Sequence, residues 1–300
     1  MLPSASGISY QTDMLEFAAV PKTKISIVKY LNSVPLAWGI LQGRQSDTFD
    51  PVLHTPAECA DQLQQGKVDV GLIPSIEFQR IAGTKIVPGP VIACRHRVRS
   101  VLLISLMPLW KVKTVAVDTT SRTSAVLARI VFEEFFHTRP DFRPSAPDLA
   151  GMLAQNDAAV LIGDAALKFI EQHELPNAET QTAFLRYGPE PLAVFDLAER
   201  WKFLTGLPFV FAFWAARAGI SGEGIAEALR ESREFGVQNI PAIAKRYSEE
   251  LSLKEEFLRE YLTDNVHYYM DETCVEGLQL FFQMAKRVGA IKSARSLEFL

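Results

Sequence analysis

KTVAVDTTSRTSAVLARIVFEEFF, residues 113–136, changes its secondary-structure period partway along. KTVAVD reads as a strand, and from Ser124 to Phe136 the apolar residues recur at helical spacing. Between them stand Thr119, Thr120, Ser121, Arg122, Thr123 and Ser124, five hydroxyls and one arginine in six positions. A helix N-terminus carries unpaired N–H groups and the positive end of the helix dipole, so it favours anions. One Ser or Thr is enough to cap it. A cap and a polar turn account for about two of these residues. The surplus of donors points to a pocket for a small carboxylate or phosphate.

The same plan occurs earlier in the chain. Lys24–Lys29 (KISIVK) reads as a strand, Tyr30–Ser33 as a loop, and Pro35 as the first position of a short helix through Leu41. The helix–turn–strand segment AECADQLQQGKVDVGLIPS (57–75) has a counterpart in PDLAGMLAQNDAAVLIGDA (147–165). Each has a short polar break, an Asp and a buried apolar run. Two such units predict an α/β protein of two similar lobes. Leu207–Ala216 (LPFVFAFWAA) is too short to span a membrane and reads as a doubly buried strand returning to the first lobe. The lobes are therefore expected over 22–110 with 206–300, and over 111–205. Hinges are expected near Ser105–Lys111 and Thr205–Pro208. Gly222–Leu300 reads as mostly helical with a strand-like piece at Val266–Met270, and residues 1–21 as a lead-in.

Three hundred residues suffice for two domains. With 48% apolar and 22% charged residues the composition is that of a soluble globular protein. A net charge of −4, with no basic stripe interleaved with aromatics, argues against a nucleic-acid partner. Cys59, Cys94 and Cys274 are scattered and odd in number, which suits a reducing compartment without a disulfide framework. His54, His96, His137, His173 and His267 show no ligand spacing with cysteine or carboxylate, so no metal site is expected. MLPSASGISYQTDMLEFAAV lacks a basic leader and is interrupted by Asp13 and Glu16, so a cytoplasmic protein without membrane contact is expected. No nucleophile motif, phosphate loop, dinucleotide fingerprint or zinc motif is present, and the chemistry is expected to need no cofactor.

In open α/β sheets, ligands bind beyond the carboxyl ends of the strands. The loops at Tyr30–Ser33, Pro74–Glu77, Thr119–Ser124 and Gly163–Asp164 should therefore converge on one cleft. Asn32 can donate its amide to a ligand oxygen there, or cap the helix that follows. Ser100 opens a strand behind Arg95, His96, Arg97 and Arg99. Cationic neighbours beside a hydroxyl suit a carboxylate ligand, while a solvated loop also explains the arginines. Asp164 is placed either as a helix cap or as a cleft carboxylate. Glu77 and Asp118 are the other carboxylates in reach. Trp38, Trp201 and Trp214 read as core.

KISIVKYLNSVPLAWGI, QLQQGKVDVGLIPSIEF, VRSVLLIS, VAVDTTSRTS, DAAVLIGDAAL, DLAERWKFLTGLPFVFAFWAAR and YMDETCVEGLQLFF together carry a family resemblance. From about Lys24 to Phe282 the chain resembles the chorismate dehydratases of the futalosine route to menaquinone. The resemblance implies a two-lobed type II periplasmic-binding-protein fold turned into a cytosolic enzyme, with chorismate held between the lobes. It also implies that Asn32 of YLN and Ser100 of RSVLL contact substrate and are the catalytic pair. Thr119, Ser121, Arg122, Thr123, Ser124, Glu77, Gly163 and Asp164 complete the expected site. Arg95–Arg97 departs from the family's less basic, glycine-containing turn and takes no role by analogy.

Losing water turns chorismate into 3-[(1-carboxyvinyl)oxy]benzoate, which needs neither a metal nor a redox cofactor. The base is Glu77, Asp118, Asp164 or the substrate's own enolpyruvyl carboxylate; the last is favoured because it arrives already positioned. Two other readings share the fold. A solute-binding protein for a small carboxylate is expected to carry an export signal or lipid-attachment cysteine if it serves transport. The naphthoate-forming enzyme of the same route is expected to open on another motif and to use a histidine, in a setting that His173 and His267 lack. A regulator's effector domain would follow a DNA-binding helix-turn-helix, for which 21 leading residues leave no room.

Overall fold

β1 (Thr23–Val28) is the first element in the computed structural model, which describes residues 22–175, 183–187 and 190–300. The expected lead-in over 1–21 lies outside the described residues. β1 is followed by α1 (Val34–Gln42), β2 (Phe49–His54), α2 (Pro56–Gln64) and β3 (Val70–Pro74). Pro35 sits in the first turn of α1, where its missing N–H costs nothing. Thr55 and Glu58 form a reciprocal capping box at the start of α2. β1 lies between β2 and β3 and is parallel to both. β4 (Lys85–Cys94) then runs along the same sheet.

The chain crosses to a second sheet with β5 (Val101–Ser105), β6 (Thr114–Asp118), α3 (Arg122–Phe135), β7 (Asp141–Ser145), α4 (Leu149–Gln155) and β8 (Ala158–Ile162). α5 (Gly163–Gln172), β9 (Ala183–Tyr187), β10 (Glu190–Asp196) and α6 (Leu197–Thr205) complete that half. β11 (Phe209–Ala216) returns to the first sheet. It is followed by α7 (Ile225–Gln238), α8 (Ile240–Leu251), α9 (Glu255–Glu260), a π-helical turn over Tyr261–Asn265, β12 (His267–Tyr269) and α10 (Glu272–Arg287).

The two sheets have the orders β12-β4-β11-β3-β1-β2 and β7-β6-β8-β5-β10-β9. Every residue of β11 is buried, and it pairs antiparallel with both β3 and β4, as its unbroken apolar run requires. The lobe boundary expected at 110 does not match the sheets. β5 pairs antiparallel with β8 and β10, so residues 101–105 belong to the second sheet. The first crossing is the segment 95–100 rather than Ser105–Lys111. Its partner is the stretch from Asp196 to Phe209. Asp196 joins the two: its carboxylate accepts from the backbone of Val98 (3.0 Å) and Arg99 (2.6 Å) on one crossing and caps α6 on the other.

A continuous apolar core runs through both sheets, and Trp201 and Trp214 are fully enclosed in it. Cys59, Cys94 and Cys274 are buried free thiols.

Candidate active site

Four strand ends meet between the sheets, as the loop positions predicted. They enclose a narrow, mostly apolar cleft. Tyr30 and Asn32 after β1, Pro74 after β3, Thr120–Ser124 after β6 and Gly163 after β8 all line it. Ser100 and Val101 close one side at the crossing, and Phe211 and Ala212 of the returning strand form the floor.

The lobes touch across the cleft mouth. The Tyr30 and Thr120 hydroxyls are 3.2 Å apart. Leu31 N–H donates to Asp164 Oδ1 at 3.1 Å; within the second sheet, Gly163 N–H continues the β5–β8 ladder to the Ser100 carbonyl at 2.8 Å. Gly163 has φ +61°, and a Cβ there would come 3.0 Å from the Tyr30 ring. Glycine is required on both counts, backbone shape and the close approach of the aromatic. Burial pushes Asp164 up to about 6, against the Leu31 N–H bond and the charge of Lys168, which pull it down.

The hydroxyl-rich loop divides its work. Thr119 is exposed and borders a neighbouring groove instead of the cleft, while Thr120 takes the place beside Tyr30. Thr120 N–H and hydroxyl both donate to Asp118 Oδ1, at 2.8 and 3.0 Å, which builds the turn. Ser121 is buried at the cleft with a hydroxyl that meets no protein partner. It is also the N-cap residue of α3, and its side chain makes no capping bond. Thr123 is committed across the lobes: Ile76 N–H donates to its hydroxyl at 3.3 Å and the Ser75 hydroxyl lies 3.4 Å away. Ser124 lines the cleft at the first turn of α3, whose leading N–H groups have no intrahelical acceptor.

Arg122 and Glu77 stand differently from their expected roles. The Arg122 guanidinium is held by Glu77 at 3.1 Å and by both oxygens of Asp61 at 2.9 and 3.0 Å. Glu77 is buried, takes a further bond from Arg80 at 2.7 Å, and is absent from the cleft lining. The two residues fasten the lobes together through a partly buried ion cluster. Asp118, its carboxylate engaged in its own turn, also faces away from the cleft. The described lining therefore holds no carboxylate and no histidine, and Arg122 is its one ionic residue.

Asn32 and Ser100 both line the cleft. Asn32 Oδ1 is buried without a partner. The Ser100 hydroxyl accepts from Tyr261 at 2.8 Å. Nothing local marks Tyr261: it lies 161 residues from Ser100, and its only sequence signal is proximity to the strand-like Val266–Met270. Burial pushes its phenol well above the usual range, with Ser100 and Asn32 pulling the other way.

The structure does gather one set of metal-ligand types that the spacing did not suggest. His267, Asp271 and Cys274 bring their donor atoms within 4.8 Å of one another. Arg95 donates to both Asp271 and His267, and burial pushes the Cys274 thiol up to about 12. A resident cation and a protonated thiol do not suit a metal ion.

A family model described as menaquinone biosynthesis matches residues 23–287. The chain belongs to that family. A chorismate dehydratase from Thermus thermophilus is 31% identical to it over 264 residues, covering 86% of this chain and 93% of the relative. The resemblance read from YLN, RSVLL and TTSRTS is thereby borne out. Two solved structures share the fold of this family member. One is a protein from Archaeoglobus fulgidus, with a TM-score of 0.68 and 17% identity, covering 90% of this chain and 98% of the other. The other is the periplasmic aliphatic sulphonate binding protein of Escherichia coli, with a TM-score of 0.61 and 14% identity, covering 92% and 95%. The expected two-lobed, periplasmic-binding-protein-like architecture is borne out with them. Among the described residues no helix is long and apolar enough to cross a membrane.

Proposed function

We propose that this member of the menaquinone biosynthesis family dehydrates chorismate to 3-[(1-carboxyvinyl)oxy]benzoate, with no metal or organic cofactor. The observation that carries the reaction in detail is the cleft's lining: donors without a base. Ser121, Ser124 and the N-terminus of α3 offer hydroxyl and N–H donors to a carboxylate. Asn32 and Ser100 line the same cleft.

The hydrogen at C3 of chorismate is vinylogous to the ring carboxylate. Breaking that C–H bond sends its electron pair through the C1–C2 double bond onto the carboxylate as a dienolate. Donors already aimed at the carboxylate stabilise the charge as it grows. The C4–O bond then breaks, the ring becomes aromatic, and the departing hydroxide leaves as water with the proton taken from C3.

Glu77 and Asp118 are turned from the cleft and occupied by their own partners, which supports the substrate's enolpyruvyl carboxylate as the base. Asp164, raised to about 6 by burial, is the enzyme carboxylate with a suitable pKa, but its Oδ1 is taken by Leu31 N–H and it does not line the cleft. That Asn32 Oδ1 is buried and unpartnered supports a role in accepting from the C4 hydroxyl and orienting it.

Purified protein incubated with chorismate and excess chelator tests the reading, with the aromatic product followed by absorbance and chromatography. Turnover in chelator is expected. Turnover lost in chelator and restored by a divalent ion would overturn the metal-free mechanism. Tight chorismate binding with no product would favour a solute-binding role.

A further inference from the structure

We propose that Tyr261 is a positioning residue for the dehydration, holding the Ser100 hydroxyl so that its proton is donated into the cleft. The inference rests on the assignment of Ser100 to that reaction.

A serine hydroxyl has one proton to donate and can accept two. Ser100 Oγ accepts from the Tyr261 phenol at 2.8 Å, so its own proton is left for a partner on the cleft side. The Ser100 carbonyl is pinned separately by Gly163 N–H at 2.8 Å. Main chain and side chain of Ser100 are thus both fixed, from two different elements. The Asn32 amide also pulls that phenol's pKa down against the effect of burial. Tyr261 is fully enclosed and cannot itself reach substrate.

The local backbone explains how a residue of the C-terminal helices arrives there. α9 gives way at Tyr261 to a π-helical turn, which widens the helix by one residue and re-aims the side chains at its ends. Tyr261 at one end holds Ser100. Asn265 at the other end donates to the Arg97 carbonyl at 3.2 Å. The turn therefore grips the first crossing between the sheets at two points, and only one of them carries a hydroxyl into the cleft. A purely structural anchor would need the Arg97 contact and the buried ring, but not a phenol aligned on a cleft hydroxyl.

The test is a double-mutant cycle on the full chain with chorismate as substrate, using Tyr261→Phe, Ser100→Ala and the pair, each checked by melting temperature. Tyr261→Phe is expected to lower kcat by about 10- to 100-fold while KM stays within about threefold. In the Ser100→Ala background the same change is expected to cost nothing further, because Tyr261 acts through Ser100. If Tyr261→Phe keeps normal kcat while Ser100→Ala loses it, the role of Tyr261 is overturned and that of Ser100 stands. If Ser100→Ala itself keeps normal kcat, the underlying assignment of Ser100 fails. Multiplicative losses in the pair would show that Tyr261 acts independently and would also overturn the inference. Should Tyr261→Phe not fold, replacing Tyr261 by 4-aminophenylalanine or by 4-fluorophenylalanine decides the matter. The first keeps a donor and should keep turnover; the second fills the same space without one and should lose it. Equal turnover in the two would refute the proposal.

Discussion

β1 to β3 and β6 to β8 run the same course through two sheets. In each, the first strand lies between the other two and parallel to both. In each, an aspartate just before or at the start of the third strand ties the unit to the beginning of the first. Asp69 accepts from Lys24 N–H at 3.0 Å, and Asp157 from Lys113 and Thr114 N–H at 2.8 and 3.0 Å. The loops after the first strands are the point of divergence. After β1 comes Tyr-Leu-Asn, an aromatic and an amide; after β6 comes a run of hydroxyls opening a helix of 14 residues. On the proposed function, a repeated scaffold carries one loop that holds the substrate's negative charge and another that faces its reacting carbons. Strand topology sets where the loops meet, and side-chain chemistry sets what each does there.

The sharpest way to break this division is to remove Asn32 or Ser100. Asn32→Ala and Ser100→Ala are expected to lower kcat by about 100-fold or more with smaller changes in KM. Steady-state kinetics on folded protein would check this. Near-normal kcat in both would move the catalytic burden to the hydroxyl-rich loop.

Asp164 sharpens the comparison because it is the second lobe's grip on the Tyr-Leu-Asn loop. Its carboxyl is raised from 3.8 to about 6 by burial, so protonation favours the folded form. That contribution is full below pH 3.8 and is lost as the pH rises through 6. Lys168 favours the charge, and Glu250 opposes it; the nearby Tyr30, Tyr247 and Tyr261 phenols stay neutral in this range. Asp164→Asn keeps an acceptor for Leu31 and cannot ionise. Relative to the variant, wild type should gain up to about 3 kcal/mol on going from pH 7 to pH 4. Parallel melting curves across that range would show no change in the gap if the assignment is wrong.

In the hydroxyl-rich loop the expected cost falls on binding. Ser121→Ala removes one donor and should weaken binding by about 1–3 kcal/mol, mostly in KM. Thr123→Ala, which removes an inter-lobe bond instead, should act on closure. Small-angle scattering with a bound substrate analogue would separate the two, Ser121→Ala compacting normally at saturation and Thr123→Ala less. The smallest effect belongs to the shared scaffold. Asp157→Ala should lower the melting temperature by about 2–4 °C and leave kcat unchanged. Asp69→Ala should cost more, because Asp69 also holds Arg217 at 2.7 Å.

Much of the cleft was legible from local signals. TTSRTS and YLN sit at strand ends, and any α/β protein brings such ends to one edge of its sheets. Thr119 and Thr120 exchanged roles because a turn's side-chain directions depend on its dihedral angles, which hydroxyl composition does not reveal. In the sequence, Glu77 and Arg122 read as ligand contacts because each belongs to a loop bordering the cleft. Neither loop alone discloses that the other supplies its counter-ion, or that Asp61 adds a second.

By itself the sequence determined the elements: the strand and helix periods, Pro35 at a helix start, the doubled unit, and the doubly buried run of β11. These depend on contacts a few residues apart or on the average polarity of a face. Only the tertiary structure decided that β5 leaves the first half of the chain to join the second sheet. It alone brought Asp196 to both crossings and Tyr261 to Ser100. Those contacts span about a hundred residues or more, and each depends on a buried polar group finding the one partner that the packed fold holds within hydrogen-bond reach.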